Sequence, residues 1–258
     1  MLTDSSLCAP LDLPVRGAKP RTRGRTMMID TGTPTRWFED VVESHADLID
    51  AVKFGWGTCL VTRDIKTKID VCHAAGIEAY FGGTLFERYA AAGAVDTWRE
   101  LCRATGCTTV EISHGTVVMS NVEKAGWVAE MAREFAVISE VGFKDGGRSM
   151  ALTADEWVDA VRLDLEAGAG TVTLEARESG RSGFCTPGGE AREDVLGALD
   201  ASGIDRDRLL FEAPTRDLQV TLLRRYGAGV NLGNVALTDV VGLETLRLGL
   251  RADTFGGV

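Results

Sequence analysis

Eight short apolar runs, each followed by a stretch of helical period, divide this chain almost from end to end. The runs fall at 26–30, 51–58, 77–81, 108–115, 136–144, 171–174, 208–214 and 229–234. Helical patterns occupy 35–48, 63–75, 95–105, 121–135, 154–167, 190–202 and 217–226, and a last one runs to Leu250. Gly76 and Gly106 stop two of them, as glycines that close helices do. Thr153 with Glu156 forms a capping-box pattern, and Thr238 is expected to cap the last helix. Strands that alternate with helices imply a parallel sheet. Eight such units in 258 residues predict a closed (β/α)8 TIM barrel, whose usual size is roughly 250 residues. An open doubly wound sheet would carry a glycine-rich fingerprint after its first strand, and Asp30-Thr31-Gly32-Thr33-Pro34 is not one. The barrel is expected to span 19–258 as a single domain, preceded by an arm over 1–18 that holds Pro10 and Pro14.

In such barrels the site is built at the carboxyl ends of the strands. Those ends carry Asp30, Lys53, Glu111, Glu140, Lys144, Glu175, Arg177, Glu212, Asn231 and Asn234. A parallel strand buried on both faces should read as nearly continuous apolar sequence. Polar groups at so many strand ends break that rule, and burying each one unpaired would cost several kcal/mol. A single such stretch, like Glu175-Ala176-Arg177-Glu178, reads equally well as a surface ion-pair cluster. Its recurrence points to a functional ring.

Glu111, Glu140 and Glu175 suit a hard divalent cation such as Mg2+, with Glu212 as a further ligand or a support. Lys53 and Lys144 are the candidate proton-transfer groups, because a neighbouring cation lowers a lysine pKa toward neutrality. Arg177, Arg181 and the patch Arg21 to Arg25 are candidates for phosphate, carboxylate or sulfonate oxygens. The polar groups Asn231 and Asn234 fall on the same side, and the Gly233-Asn234 turn is placed to offer backbone N–H groups to a phosphate. His114 follows a strand end and either reaches the site or packs the loop.

The net charge of -10 argues against nucleic-acid binding but leaves room for a small anionic substrate held by local cations. The cysteines Cys8, Cys59, Cys72, Cys102, Cys107 and Cys185 form no CxxC pair and read as reduced thiols packed as small hydrophobes. No apolar run reaches the ~18 residues of a membrane span, and no signal-peptide pattern opens the chain. A cytoplasmic protein with no membrane partner is expected, and barrels of this size commonly form homo-oligomers.

Several motifs resemble one family. They are Lys19-Pro20-Arg21 with Gly24, Lys53-Phe54-Gly55-Trp56-Gly57-Thr58, Gly82-Gly83-Thr84-Leu85, Glu111-Ile112-Ser113 and Ser139-Glu140-Val141-Gly142. Glu175-Ala176-Arg177-Glu178-Ser179-Gly180, Phe211-Glu212-Ala213-Pro214 and Val230-Asn231-Leu232-Gly233-Asn234 complete the set. Together, from Lys19 to Thr254, they resemble the phosphosulfolactate synthases. The resemblance implies a (β/α)8 barrel that adds sulfite to phosphoenolpyruvate with Mg2+, giving (2R)-phospho-3-sulfolactate, an early step of coenzyme M biosynthesis. It implies Lys144 as proton donor, and Lys53 opposite phosphate or sulfite. The chain departs from the family pattern in the loop after Arg181, in the segment Thr215-Arg216-Asp217-Leu218 and at two strand ends. Ser113-His114-Gly115 stands for Ser-Asp-Gly, and Gly142-Phe143-Lys144-Asp145 for Gly-Lys-Lys-Asp. These departures leave open a different nucleophile, and relatives with other roles leave open a non-catalytic barrel.

Overall fold

The strands are β1 (Thr26–Asp30), β2 (Ala51–Phe54), β3 (Glu78–Phe81), β4 (Thr109–Ile112), β5 (Ala136–Val141), β6 (Thr171–Leu174), β7 (Leu209–Glu212) and β8 (Leu232–Ala236). They come from a computed structural model that describes residues 11–256. All pair in parallel, in the order β3-β2-β1-β8-β7-β6-β5-β4. β3 and β4, at the two ends of that order, lie side by side and complete the ring. The chain is a (β/α)8 barrel, as its eightfold alternation predicts. The first ten residues of the expected arm, Cys8 among them, lie outside the described residues.

Alternation along each strand sorts the side chains into two layers. Met28, Val52, Ala79, Val110, Val137, Val172 and Leu209 point outward into the main core beneath the helices. Each buried Val, Leu or Met among them stabilises by about 1.5–3 kcal/mol. Met27, Ala51, Tyr80, Ile138 and Leu210 point inward and form a separate apolar plug inside the barrel. Gly233 belongs to this plug. A Cβ there would lie 2.3 Å from Leu210 and 2.7 Å from Met27. The glycine is therefore a packing requirement inside the barrel, which corrects its expected place in a phosphate-binding turn.

The outer layer is α1 (Thr35–His45), α2 (Ile65–Ala74), α4 (Val95–Thr105), α5 (Asn121–Met131), α7 (Ala154–Glu166), α8 (Glu193–Ala201), α9 (Arg216–Tyr226) and α10 (Val240–Arg247). Two further helices, α3 (Gly83–Ala91) and α6 (Gly146–Ala151), were not legible as periodic segments. The first starts two residues after β3 ends, and the second is a short turn capped by Asp145, which accepts from Arg148 N–H at 2.7 Å. The capping box on α7 forms as expected between Thr153 and Glu156. Thr238 instead sits within a 3-10 turn, Leu237–Asp239, that leads into α10. β2 stops at Phe54 because Trp56 and Gly57 adopt left-handed φ angles of 53° and 71°. The five described cysteines are free and buried, and burial pushes the Cys59, Cys72 and Cys185 thiols up to about 12.

The basic patch lies at the opposite end from the site. Arg21 pairs with Asp50 at 3.0 Å, and Arg25 donates to Glu78 at 2.8 Å. Lys19 donates to the carbonyls of Ala46 (3.0 Å) and Ile49 (2.7 Å), and to Ala75 at 3.4 Å. Asp50 and Glu78 stand at the starts of β2 and β3, and Ala46 and Ala75 close α1 and α2. Helix carboxyl ends carry partial negative charge, and the patch neutralises them. Arg21 is thus a structural clamp at the barrel base, not a substrate ligand. Asn231 shares this fate, because β8 begins at Leu232. Its Nδ2 donates to the carbonyls of Thr22, Asp207 and Leu209, each at 3.1 Å.

Candidate active site

The inward face of the barrel turns from apolar to ionic one layer above the plug. Lys53, Glu111, Glu140, Glu175 and Glu212 each occupy an inward position at or just beyond a strand's carboxyl end, and each is buried. Lys144 reaches in from the loop after β5. These six side chains line one cleft, joined by Gly83, Thr84, Trp56, Arg177, Glu178 and Asn234 on its walls and rim. The structure thus brings together in one cleft all six of these strand-end residues.

Lys53 is the hub. Its Nζ lies 2.9 Å from Glu212, 3.5 Å from Glu111 and 3.7 Å from Glu140. Burial works against its charge, but Glu111, Glu212 and Glu140 outweigh it and hold the ammonium well above its usual pKa. Glu111 is fixed from the other side by the Gly83 N–H, which donates to Oε2 at 2.7 Å. Burial still pushes this carboxyl up to about 7. Glu212 accepts from Ala176 N–H at 2.9 Å and from Arg177 N–H at 3.1 Å. The left-handed backbone of Arg177, at φ 57°, aims that N–H at the carboxylates and sets its guanidinium on the exposed rim.

Glu140, Glu175 and Glu212 present carboxylate oxygens that all lie within 4.8 Å of one another. Two of these groups are incompletely satisfied. Glu140 Oε1 and Glu175 Oε2 are buried with no N–H or hydroxyl donor, although the two carboxyls lie within hydrogen-bond reach of each other and Lys144 Nζ approaches to 3.7 and 3.9 Å. Burial, Glu140 and Glu212 push Glu175 well above the carboxylate range. Burial acts the same way on Glu140, but Lys144 and Lys53 overcome it and hold this carboxyl down at about 2. Buried oxygens without partners are costly, and three converging carboxylates with two free oxygens fit a hard divalent cation. Glu111 stands outside that group, committed to Gly83 and Lys53. Lys144 is opposed by burial yet raised by Glu140, Glu175 and Glu87.

Asn234 lies on the cleft wall as predicted. It has φ 52°, and its Oδ1 is buried without a partner. Arg181 is exposed and absent from the cleft lining, so the structure separates it from the site. His114 is a second correction. It packs the loop, with Nε2 at 2.9 Å from Asn121 Oδ1 and its ring 5.3 Å from that of Phe143. Burial pulls its pKa down to about 4. Phe143 stacks on its other side against Arg148, at 3.9 Å. The two strand-end departures thus contact each other outside the cleft lining. Sequence reasoning missed Glu87, a fully buried carboxylate on α3 beside Lys144.

The model of the (2R)-phospho-3-sulfolactate synthase family, ComA, matches residues 14–253. This chain belongs to that family. It is 45% identical over 245 residues to a phosphosulfolactate synthase of Bacillus subtilis, covering 95% of this chain and 97% of the relative. It is 42% identical over 250 residues to the phosphosulfolactate synthase of Methanothermobacter thermautotrophicus, covering 95% and 96%. Among solved structures, the YdjI aldolase of Escherichia coli K12 superposes with a TM-score of 0.54 at 8% identity over 87% of this chain and 80% of that one. A putative deoxyribose-phosphate aldolase of Coccidioides immitis gives 0.54 at 15% identity over 90% of each. These two likenesses speak for the barrel alone. No helix among the described residues is long and apolar enough to cross a membrane.

Proposed function

We propose that this enzyme is a carbon–sulfur lyase that adds sulfite to phosphoenolpyruvate, giving (2R)-phospho-3-sulfolactate, with Mg2+ held by Glu140, Glu175 and Glu212. The observation that carries the reading is the convergence of these carboxylates beside two lysines, with buried oxygens left free, in a chain of this family. A divalent ion bound there supplies positive charge where the substrate carboxylate becomes more negative. The sulfur lone pair of sulfite forms the new bond to C3, and the C2–C3 π pair moves toward C2 and the carboxylate. Lys144 then gives its proton to C2. Were Glu140 and Glu175 to hold a cation, Lys144 would keep only Glu87 of the three carboxylates that raise its pKa, which would ease the transfer. Lys53 keeps its charge between Glu111 and Glu212 and faces the incoming anion, while Arg177 on the rim attracts substrate oxygens.

Space supports the same division of labour. The ionic cleft leaves only about 30 Å³ free. An adjoining pocket of about 320 Å³ shares Ile29, Trp56, Glu178 and Asn234 with it. One end of a three-carbon phosphate can reach the carboxylates while its bulk occupies this neighbour. The alternative of a different nucleophile drew on His114 and Phe143, and their position outside the cleft removes that support. Proton and phosphorus NMR of the enzyme with phosphoenolpyruvate, sulfite and Mg2+ tests the proposal. Loss of the vinyl protons with the phosphate ester retained, abolished by EDTA, is expected. Vinyl signals that persist with sulfite present would reject it.

A further inference from the structure

We infer that Glu87 and Thr84, on one face of α3, are the positioning residues that hold Lys144 in place for proton delivery. This rests on the role proposed above for Lys144. Neither residue was assigned by strand-end reasoning, because both sit on a helix that follows β3. The helix can pack this close only because Gly83 has no side chain: a Cβ there would lie 2.3 Å from Ser113 Oγ.

Glu87 is 1% exposed and accepts four hydrogen bonds from the loop after β4. Ser113 Oγ and the Gly115 N–H (3.0 Å) donate to Oε1, while the N–H groups of Thr116 (2.7 Å) and Val117 (3.1 Å) donate to Oε2. With two donors on each oxygen the carboxylate is an acceptor only and is saturated. It can neither ligate a metal nor move a proton, so its part in any reaction is to place other groups. Those contacts reach Lys144 at both ends. At the backbone, the Lys144 N–H donates to the carbonyl of Gly115, the residue Glu87 anchors, at 3.2 Å. At the tip, Lys144 Nζ donates to Thr84 Oγ1 at 2.5 Å and lies 3.9 Å from Glu87 Oε1. A lysine side chain has four rotatable bonds and loses its freedom only where partners hold it. The same carboxylate therefore fixes where the side chain starts and where its ammonium ends, 3.7 Å from Glu140 and 3.9 Å from Glu175.

Two variants separate this from a purely structural role. Thr84→Val leaves Glu87 and its loop donors intact and removes only the hydroxyl that Lys144 contacts. It is expected to lower kcat about tenfold, with KM for phosphoenolpyruvate held within about twofold. Glu87→Gln, which keeps the shape but turns an NH2 toward N–H donors, is expected to lower kcat about a hundredfold. In both, the solvent deuterium isotope effect on kcat should rise, because proton transfer becomes the slow step. Crystal structures of both variants should show Lys144 Nζ displaced by about 1 Å or more, the scale at which misplacement costs rate. An unchanged isotope effect, with activity falling only as the folded fraction falls in a thermal melt, would overturn the inference. So would a Lys144 that keeps its place in Thr84→Val. If the parent enzyme shows no turnover of phosphoenolpyruvate with sulfite, the proposed reaction fails, and the position of Lys144 still decides this one.

Discussion

The two ends of the barrel are both densely charged, yet they differ in how their charges are met. At the base, Arg21 is held by Asp50, the Asp47 carbonyl and Gly17 O, and Lys19 by three carbonyls. Arg247, fully buried, donates to the carbonyls of Ala228, Val230 and Arg25, and among the described residues the unpartnered atoms at this end are mainly donors, the Nε groups of Arg16 and Arg247 and the Tyr226 hydroxyl. At the mouth, carboxylates outnumber cations, and Glu140 Oε1, Glu175 Oε2 and Asn234 Oδ1 are buried without partners. Cations spread over helix carboxyl ends stabilise a fold. Like charges crowded together with free oxygens oppose it and persist where a ligand completes them. The difference separates structural from functional charge in a way that counting charged residues cannot.

The contrast can be broken by mutation at either end. The largest effect is expected at the mouth, where Lys144→Met should lower kcat about a thousandfold, the range of a lost general acid, measured on folded protein well below its melting temperature. At the base, Arg21→Ala should do the reverse. It leaves buried Asp50 short of its main partner and should cost about 3 kcal/mol in urea unfolding, with kcat and KM within about twofold of the parent. Glu175→Gln sharpens the point further. It should weaken Mn2+ or Mg2+ binding about tenfold or more by titration calorimetry, while leaving stability equal or higher because a crowded carboxylate is removed.

The smallest effect concerns His114. Burial holds its folded pKa at about 4, below the ordinary histidine value of 6.5, so between those values the unfolded chain binds the extra proton. Stability should therefore fall as pH drops from 6.5 toward 4. His114→Gln should flatten that slope without changing KM, which would confirm a packing role for a residue that lies beside the site without lining it.

Much of this was legible before any coordinates. The period of the apolar runs gave the barrel, because strand and helix alternation leaves few other ways to bury both faces of a parallel sheet. Lys53, Glu111, Glu140, Glu175, Glu212 and Lys144 stood out because charge at the end of an inward-facing run has no place in a packed core. The misreadings of Arg21 and Asn231 share one cause. Arg21 and Asn231 flank strands too, but at their starts, and a run assigned three residues early for β8 moved Asn231 from the base to the mouth. Gly233 looks like a turn residue in sequence, yet its smallness answers to Leu210 and Met27 across the barrel. Glu87 lay on a helix with no strand-end signature, and only the folding of the β4 loop onto α3 gave it meaning.

The most direct test of the account is a crystal structure of the enzyme grown with Mn2+ and phosphoenolpyruvate, measured at a wavelength where manganese scatters anomalously. The account predicts one strong anomalous peak among Glu140, Glu175 and Glu212, with the substrate extending from it toward Asn234 and Trp56. A metal peak elsewhere, or phosphoenolpyruvate bound at the base beside Arg21 and Arg23, would contradict it.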